Sequence, residues 1–438
     1  MKRPAWLPLL LLLASSAHAA NWPHWRGPFF NGSTDEKDLP AQFSKTENVA
    51  WSAALPGAAA ATPIVWEDRV LLAGVDTQRD MLEARCLSRA DGKLLWQHDI
   101  ARGIRRDHRS NFASNSPVTD GEVVVFFFGN GDLACFDLGG NRLWSRNIQK
   151  DFGEFAFLWS FSASPTLYDG KLYVQVLQRN VPVQGRGLAD RENESYLLAL
   201  DPKTGKTLWR HVRPSDAVAE SREAFSTPIP FVFEGREELL ILGGDAITGH
   251  DPRTGKELWR WGDWNPRRIE HWRLVPSPVA GDGVVLACAP KRGPVYAVAA
   301  GSSGALERKA VAWETDSASK VSADVPTPAF YDGDFFILND IQRTLSRIEA
   351  RGGTVKWQLS TPGRGKYEAS PLAADGKVYL VDFFGEVAVV DAKSGQLIHK
   401  AAMDDPADDE VVRASVVAAH GQLLVRTTRR LYCIGKGP

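Results

Sequence analysis

Short runs of alternating apolar and polar residues recur along the chain, and they are broken by Gly, Asp and Pro rather than by helix caps. One stretch shows the unit plainly. Ser164-Pro165 opens it, Tyr168-Asp169-Gly170-Lys171 makes a turn, Leu172 to Leu177 alternates as a strand, and Tyr196 to Asp201 is another. A tight turn, Pro202-Lys203-Thr204-Gly205-Lys206, then leads into a last strand at Leu208-Trp209. The glycine after Asp-x-x-Thr suits a turn position of positive φ, which strains any residue with a Cβ.

The same order repeats, and a fixed period is the mark of a repeat architecture. Openers stand at Thr62-Pro63, Ser116-Pro117, Ser164-Pro165, Thr227-Pro228, Ser277-Pro278, Thr327-Pro328 and Ser370-Pro371, with a degenerate one at Ser415-Val416. Closing positions keep step at Trp96, Trp144, Trp209, Trp259, Trp313 and Trp357, and at His399 where a tryptophan is expected. The last period, from Ser415 through Ile434, has no closing strand. A lone strand with a tryptophan, Asn48 to Ala53, precedes the first opener and can supply it. The sequence therefore predicts an all-β fold, an eight-bladed β-propeller of four-stranded antiparallel blades closed by an N-terminal strand; closure removes the two open sheet edges of a linear array.

Ala199-x-Asp201-x-x-Thr204-Gly205-x-x-x-Trp209 resembles the tryptophan-docking motif of the pyrroloquinoline-quinone-like β-propeller repeat family, and Gly249-x-Asp251-x-x-Thr254-Gly255-x-x-x-Trp259 nearly repeats it. Weaker copies at Glu349 to Trp357 and Asp391 to His399 carry the resemblance over most of the chain after Asn48. That family includes quinone-dependent dehydrogenases and the propeller component of the outer-membrane β-barrel assembly machine. The resemblance implies that each docking tryptophan stacks on the next blade. The leader Asn21 to Pro28 resembles the arm of exported propellers of this type, with Trp22 and Trp25 packed on the propeller surface.

Lys2 and Arg3 before the apolar run Trp6 to Ala14, then Ala17-His18-Ala19, predict a signal peptide over residues 1–19. An arm over 20–47 and a propeller over 48–438 would follow. The protein is expected to be exported, periplasmic or extracellular, soluble, monomeric and without a transmembrane segment. With 52 basic and 53 acidic residues, no basic face for nucleic acid is expected.

Cysteine usage narrows the chemistry. Cys86, Cys135 and Cys433 fall at the repeat position of Ala199, so neighbouring copies are placed too far apart to join and all four thiols are expected to be free. The family's dehydrogenases characteristically carry two adjacent bridged cysteines, which this chain lacks. It also lacks Cys-x-x-Cys-His, so no covalent haem is expected.

The segments just before the openers should surround one mouth of the central channel. They supply the candidate ligand-binding residues Arg109, Asn115, Trp159, Arg222, Glu223, His271, Arg273, Lys320, Lys366, Glu368 and Arg413. A ring of cations would attract an anionic ligand or acidic segment of an envelope protein; the alternative is that each cation pairs with a neighbouring carboxylate. The insertion Gln178 to Glu194 is a candidate lid or partner loop, and the acidic run Asp404 to Glu410 a solvated loop or calcium ligand set. The leading reading is a binding or scaffold module without catalysis. A dehydrogenase using pyrroloquinoline quinone with calcium on an alcohol or sugar, and a carbohydrate-binding propeller, are the alternatives.

Overall fold

The computed structural model describes residues 21–108, 110–404 and 410–437. Eight antiparallel sheets follow one another along the chain. Blades 1 to 7 span residues 64–102, 118–147, 166–212, 229–261, 279–314, 329–360 and 372–402. Blade 8 is built from Val417–Ala419, Gln422–Arg426 and Arg430–Ile434, with Val49–Ala54 as its fourth strand. Trp51 lies opposite Cys433 in that pairing, so the expected closure is present. The signal-peptide expectation falls on residues outside those described, as does most of the acidic run, residues 405–409.

The motif's spacing has a direct structural cause. Most docking tryptophans sit across their sheet from a small-residue slot: Cys86 faces Trp96, Cys135 faces Trp144, Cys433 faces Trp51 and Ala199 faces Trp209, while Trp357 docks with Arg347 opposite it. The indole then leans onto the next blade's turn and donates its N–H to a carbonyl there. Trp51 reaches Arg89 at 2.7 Å, Trp96 reaches Leu138 at 3.2 Å, Trp144 reaches Pro202 at 2.8 Å and Trp313 reaches Ala350 at 2.8 Å. Beneath each indole lies the turn's glycine. A Cβ on Gly205, which already has φ +70°, would stand 2.7 Å from the Trp144 ring.

At two closing positions the side chain does not dock on the next blade. Trp259 does not dock on blade 5 but folds back over its own blade, and its N–H donates to buried Glu238 at 2.6 Å. Gly249 occupies the small-residue slot there because a Cβ would come within 2.1 Å of the Trp259 nitrogen. Gly304–Ala305, from the loop of the next blade, adds a short parallel strand to the outer edge of blade 4 beside it. His399, at the other irregular position, sets its ring edge-on to Phe43 of the arm, with Nε2 2.6 Å from the Phe43 carbonyl oxygen.

The arm laces across one end of the barrel of inner strands. Trp22 is buried and bridges Val65 of blade 1, the Pro23 carbonyl accepts Thr119 N–H of blade 2, and the Asn31 and Gly32 carbonyls accept from Phe330 of blade 6 and Ala373 of blade 7. The four cysteines are free and buried, and burial pushes their thiols up to about 12, so they act as core residues. Among the described residues no helix is long and apolar enough to cross a membrane.

A paired substitution isolates the docking contact. Gly170 also has positive φ but nothing within 4 Å of a would-be Cβ. Gly170→Ala is expected to cost about 1–2 kcal/mol, from backbone strain alone. Gly205→Ala is expected to cost roughly 2–5 kcal/mol, because overpacking against Trp144 is added. Urea unfolding of the two variants checks the difference.

Candidate functional site

The openers do more than start strands. The backbone N–H of each donates to the hydroxyl of the next opener around the axis: Thr62 to Ser116, Ser116 to Ser164, Ser164 to Thr227 and Thr227 to Ser277. The series continues from Ser277 to Thr327, Thr327 to Ser370, Ser370 to Ser415 and, at 3.0 Å, from Ser415 back to Thr62. The result is a closed cycle of buried hydrogen bonds, one per blade. Ser415, degenerate only in lacking its proline, serves as fully as the others.

Inside this cycle lies a throat of about 160 Å³, walled by opener hydroxyls and by Trp159, Phe225, Arg273, Glu368 and Arg413. Its floor comes from the arm. Trp25 lines the cavity, which differs from the expected surface packing, and Arg26 lies behind it with its guanidinium carbon 5.6 Å from the ring centre. Arg26 is buried, donates to the Pro328 and Pro371 carbonyls at 2.7 and 3.2 Å, and is lowered to about 9 by desolvation. Above the throat the channel widens into a mouth of about 880 Å³, sharing Ala60, Ser110, Trp159 and Arg413 with it.

The mouth is cationic on one side. Arg105 and Arg106 line it beside Arg413, and Gln184 enters from the insertion expected as a lid or partner loop. Arg186, also from that insertion, donates to the Leu158 carbonyl at 3.0 Å. Burial and then the charge of Arg105 hold its guanidinium below the ordinary range, so two like charges are held near each other. The carboxylates present have partners: Asp107 accepts from the Ser160 N–H and hydroxyl at 2.7 and 2.8 Å, and Glu410 pairs with Arg429 at 2.7 Å.

Of the residues singled out from sequence, the fold brings Trp159, Arg273, Glu368 and Arg413 to the channel. Glu368 accepts from Lys366 and Arg413, each at 2.8 Å, and Lys366 also meets Asp340 at 3.1 Å. These cations hold the Glu368 carboxyl below the usual range although burial alone would raise it. The Trp159 indole donates to Glu220 at 3.3 Å, and Arg273 lies 3.7 Å from the same carboxylate. The rest sit elsewhere. Asn115 is buried behind the wall and donates to the Ala163 carbonyl at 2.6 Å; Arg222 meets Glu192 at 3.4 Å and the Ser215 carbonyl at 3.3 Å. His271 and Lys320 are exposed outside both cavities, and Arg109 lies outside the described residues. Glu223 is buried, pairs with Arg179 and accepts the Leu158 N–H at 3.1 Å.

Arg105, Arg106, Trp25 and the opener hydroxyls were not reached by sequence reasoning. The basic run from Arg102 to Arg109 was a signal for the first two. Nothing local marks Trp25 or the hydroxyls, whose partners lie in other blades.

The donors can be tested against the quinone and calcium that the resemblance implies. Calcium takes six to eight oxygen ligands. The throat offers one carboxylate, already shared by two cations, and among the described residues no three His, Cys, Asp or Glu side chains converge to hold a metal. The set suits an anion and does not fit calcium.

A family model described as outer membrane protein assembly factor BamB matches residues 33–181, 157–310 and 301–436. Over 305 residues the chain is 24% identical to quinohemoprotein alcohol dehydrogenase ADH-IIG of Pseudomonas putida, covering 57% of this chain and 40% of that protein. Over 316 residues it is 26% identical to outer membrane protein assembly factor BamB of Alteromonas naphthalenivorans, covering 66% of each. The match thus spans only part of either relative's length. Among solved structures, a europium-containing methanol dehydrogenase superposes with TM-score 0.70 at 10% identity, over 95% of this chain and 98% of that one. BamB from Moraxella catarrhalis superposes with TM-score 0.57 at 14% identity, over 88% and 96%. These likenesses show the fold.

Two measurements follow from the site's own groups. Ser164→Ala leaves the Ser116 N–H buried without its acceptor and is expected to cost about 1–3 kcal/mol in urea unfolding. Burial raises Glu223 to about 7, outweighing Arg179. The folded state therefore holds this proton more tightly than the unfolded chain does. Its contribution to stability is complete below about pH 4.5 and is lost as pH rises through about 7, by up to about 3 kcal/mol. Glu223→Gln should flatten the Tm profile across that window.

Proposed function

This chain belongs to the family described as outer membrane protein assembly factor BamB, and on that footing we propose that it is an exported, non-catalytic propeller that binds an acidic segment of a cell-envelope protein at its channel mouth. One observation carries the reading: Arg105, Arg106 and Arg413 line a single mouth whose carboxylates are engaged by other groups. Low-dielectric walls around like charges focus a positive potential, which raises the local concentration of anions and speeds their capture. The channel below is floored by the arm, so a bound segment enters and leaves by the same side. The kinship with BamB favours protein partners, and a periplasmic location accords with the signal peptide expected over residues 1–19.

The second reading is oxidation of an alcohol or sugar with pyrroloquinoline quinone, favoured by the likeness to a quinohemoprotein alcohol dehydrogenase. The arginines and Trp159 suit the quinone's carboxylates and rings, whereas the throat's single carboxylate, already shared by two cations, weighs against calcium there.

Titration of the purified full chain with a glutamate-rich peptide, followed by tryptophan fluorescence, tests the first reading. A Kd of about micromolar order is expected, weakening roughly tenfold or more as salt is raised and as Arg105→Ser and Arg106→Ser are combined. A glutamate-rich and a lysine-rich peptide binding equally would sink it. Saturable binding of quinone with calcium, with dye-linked oxidation of an alcohol, would replace it with the second.

A further inference from the structure

The cycle of opener hydroxyls has a chemical polarity. Each oxygen accepts a backbone N–H at 2.8–3.2 Å, and so keeps its own O–H proton to donate. Among the described residues none of these hydroxyls donates a hydrogen bond. Ser116, Ser164, Thr227, Ser370 and Ser415 line the throat, so at least five such donors face one small cavity.

The charges around the cavity have the same bias. Arg273 and Arg413 line it, each beside one carboxylate, Glu220 at 3.7 Å and Glu368 at 2.8 Å. Arg26, behind the Trp25 floor, is 2% exposed, has no carboxylate within ion-pair distance among the described residues, and leaves its Nε without a partner. Arg426 is alike: buried, bonded through Nη1 to the Ala61 and Ala73 carbonyls at 2.7 and 2.8 Å, with its Nε unpartnered. A buried guanidinium that meets only neutral carbonyls is a costly arrangement unless a negative charge lies nearby. The throat's own carboxylate, Glu368, is held by Lys366 and Arg413.

We propose that the throat is an oxyanion subsite, in which a carboxylate or phosphate group of the ligand seats on the propeller axis and accepts hydrogen bonds from the opener hydroxyls. Arg273 and Arg413 contact it from the wall, while Arg26 and Arg426 supply charge from behind. With a volume of about 160 Å³ the throat admits a small group and not a folded segment, so the anion arrives as the terminus of a longer ligand or as a small molecule. The inference rests on the reading of the mouth for the route of approach and adds what is seated at its end.

The full chain is titrated with inorganic phosphate and, separately, with acetate, at ionic strength balanced by chloride, and the Tm is followed. Crystals are soaked in selenate for anomalous diffraction. A Tm rise beyond that of chloride is expected, with an anomalous peak on the axis within hydrogen-bond distance of the Ser164 and Ser370 hydroxyls. A response to phosphate alone assigns a phosphorylated ligand, and to acetate alone a carboxylated one. Arg273→Met should weaken binding at least about tenfold. Val325→Asp, which puts a negative charge at a partly exposed wall position, should abolish it while the circular dichroism spectrum stays native, and this keeps the test decisive if the arginine variant misfolds. Selenate found only at the mouth arginines, or binding unchanged in Val325→Asp, would overturn the subsite. Peptide binding without any small-oxyanion response removes the throat inference alone; the opposite pattern removes the mouth reading alone.

Discussion

Closure of the ring is the constraint on which everything else depends. A four-stranded blade is stable only when both of its faces are covered, and each blade here is covered by two neighbours. Two sets of contacts hold neighbours together at different radii. Near the axis, opener N–H groups bond to the next hydroxyl in an unbroken cycle. Farther out, docking tryptophans press onto the next blade's turn glycine and donate to a carbonyl beside it. The inner set fixes spacing through directional bonds of about 0.5–1.5 kcal/mol each. The outer set contributes larger apolar burial but tolerates variation, as Trp259 and His399 show.

Much of this was legible in the sequence because the tryptophan, the turn glycine and the small-residue slot are all set by local geometry. Their phase follows from one hairpin's register, so Ala199 and Trp209 had to face each other. The completion of blade 8 by the strand around Trp51 was legible as a missing piece matched by a spare one. The inversion at Trp259 was also written in the chain, as glycine rather than alanine at position 249, but the meaning of that glycine emerges only when the indole is seen above it.

The site was less legible, since a residue's distance before an opener does not set its direction. Trp159, Arg273, Glu368 and Arg413 reach the channel, whereas the backbone at Lys320 turns left-handed with φ +60° and that residue stays exposed. Arg222 is drawn aside by Glu192. The opener serines and threonines read as strand starts because their partners lie some fifty residues away, beyond any local pattern.

Pairing the strand near residue 50 with one near residue 430 also shapes how the protein is made. The Arg430 to Ser52 bond spans 378 residues of chain, so closing this seam carries a larger loop-closure entropy cost than any pairing within one blade. Such long-range topology folds slowly, and an unsealed intermediate carries two naked β-edges that invite association with other chains. Stabilising that seam should therefore raise the yield of native protein more than an equal gain inside any single blade.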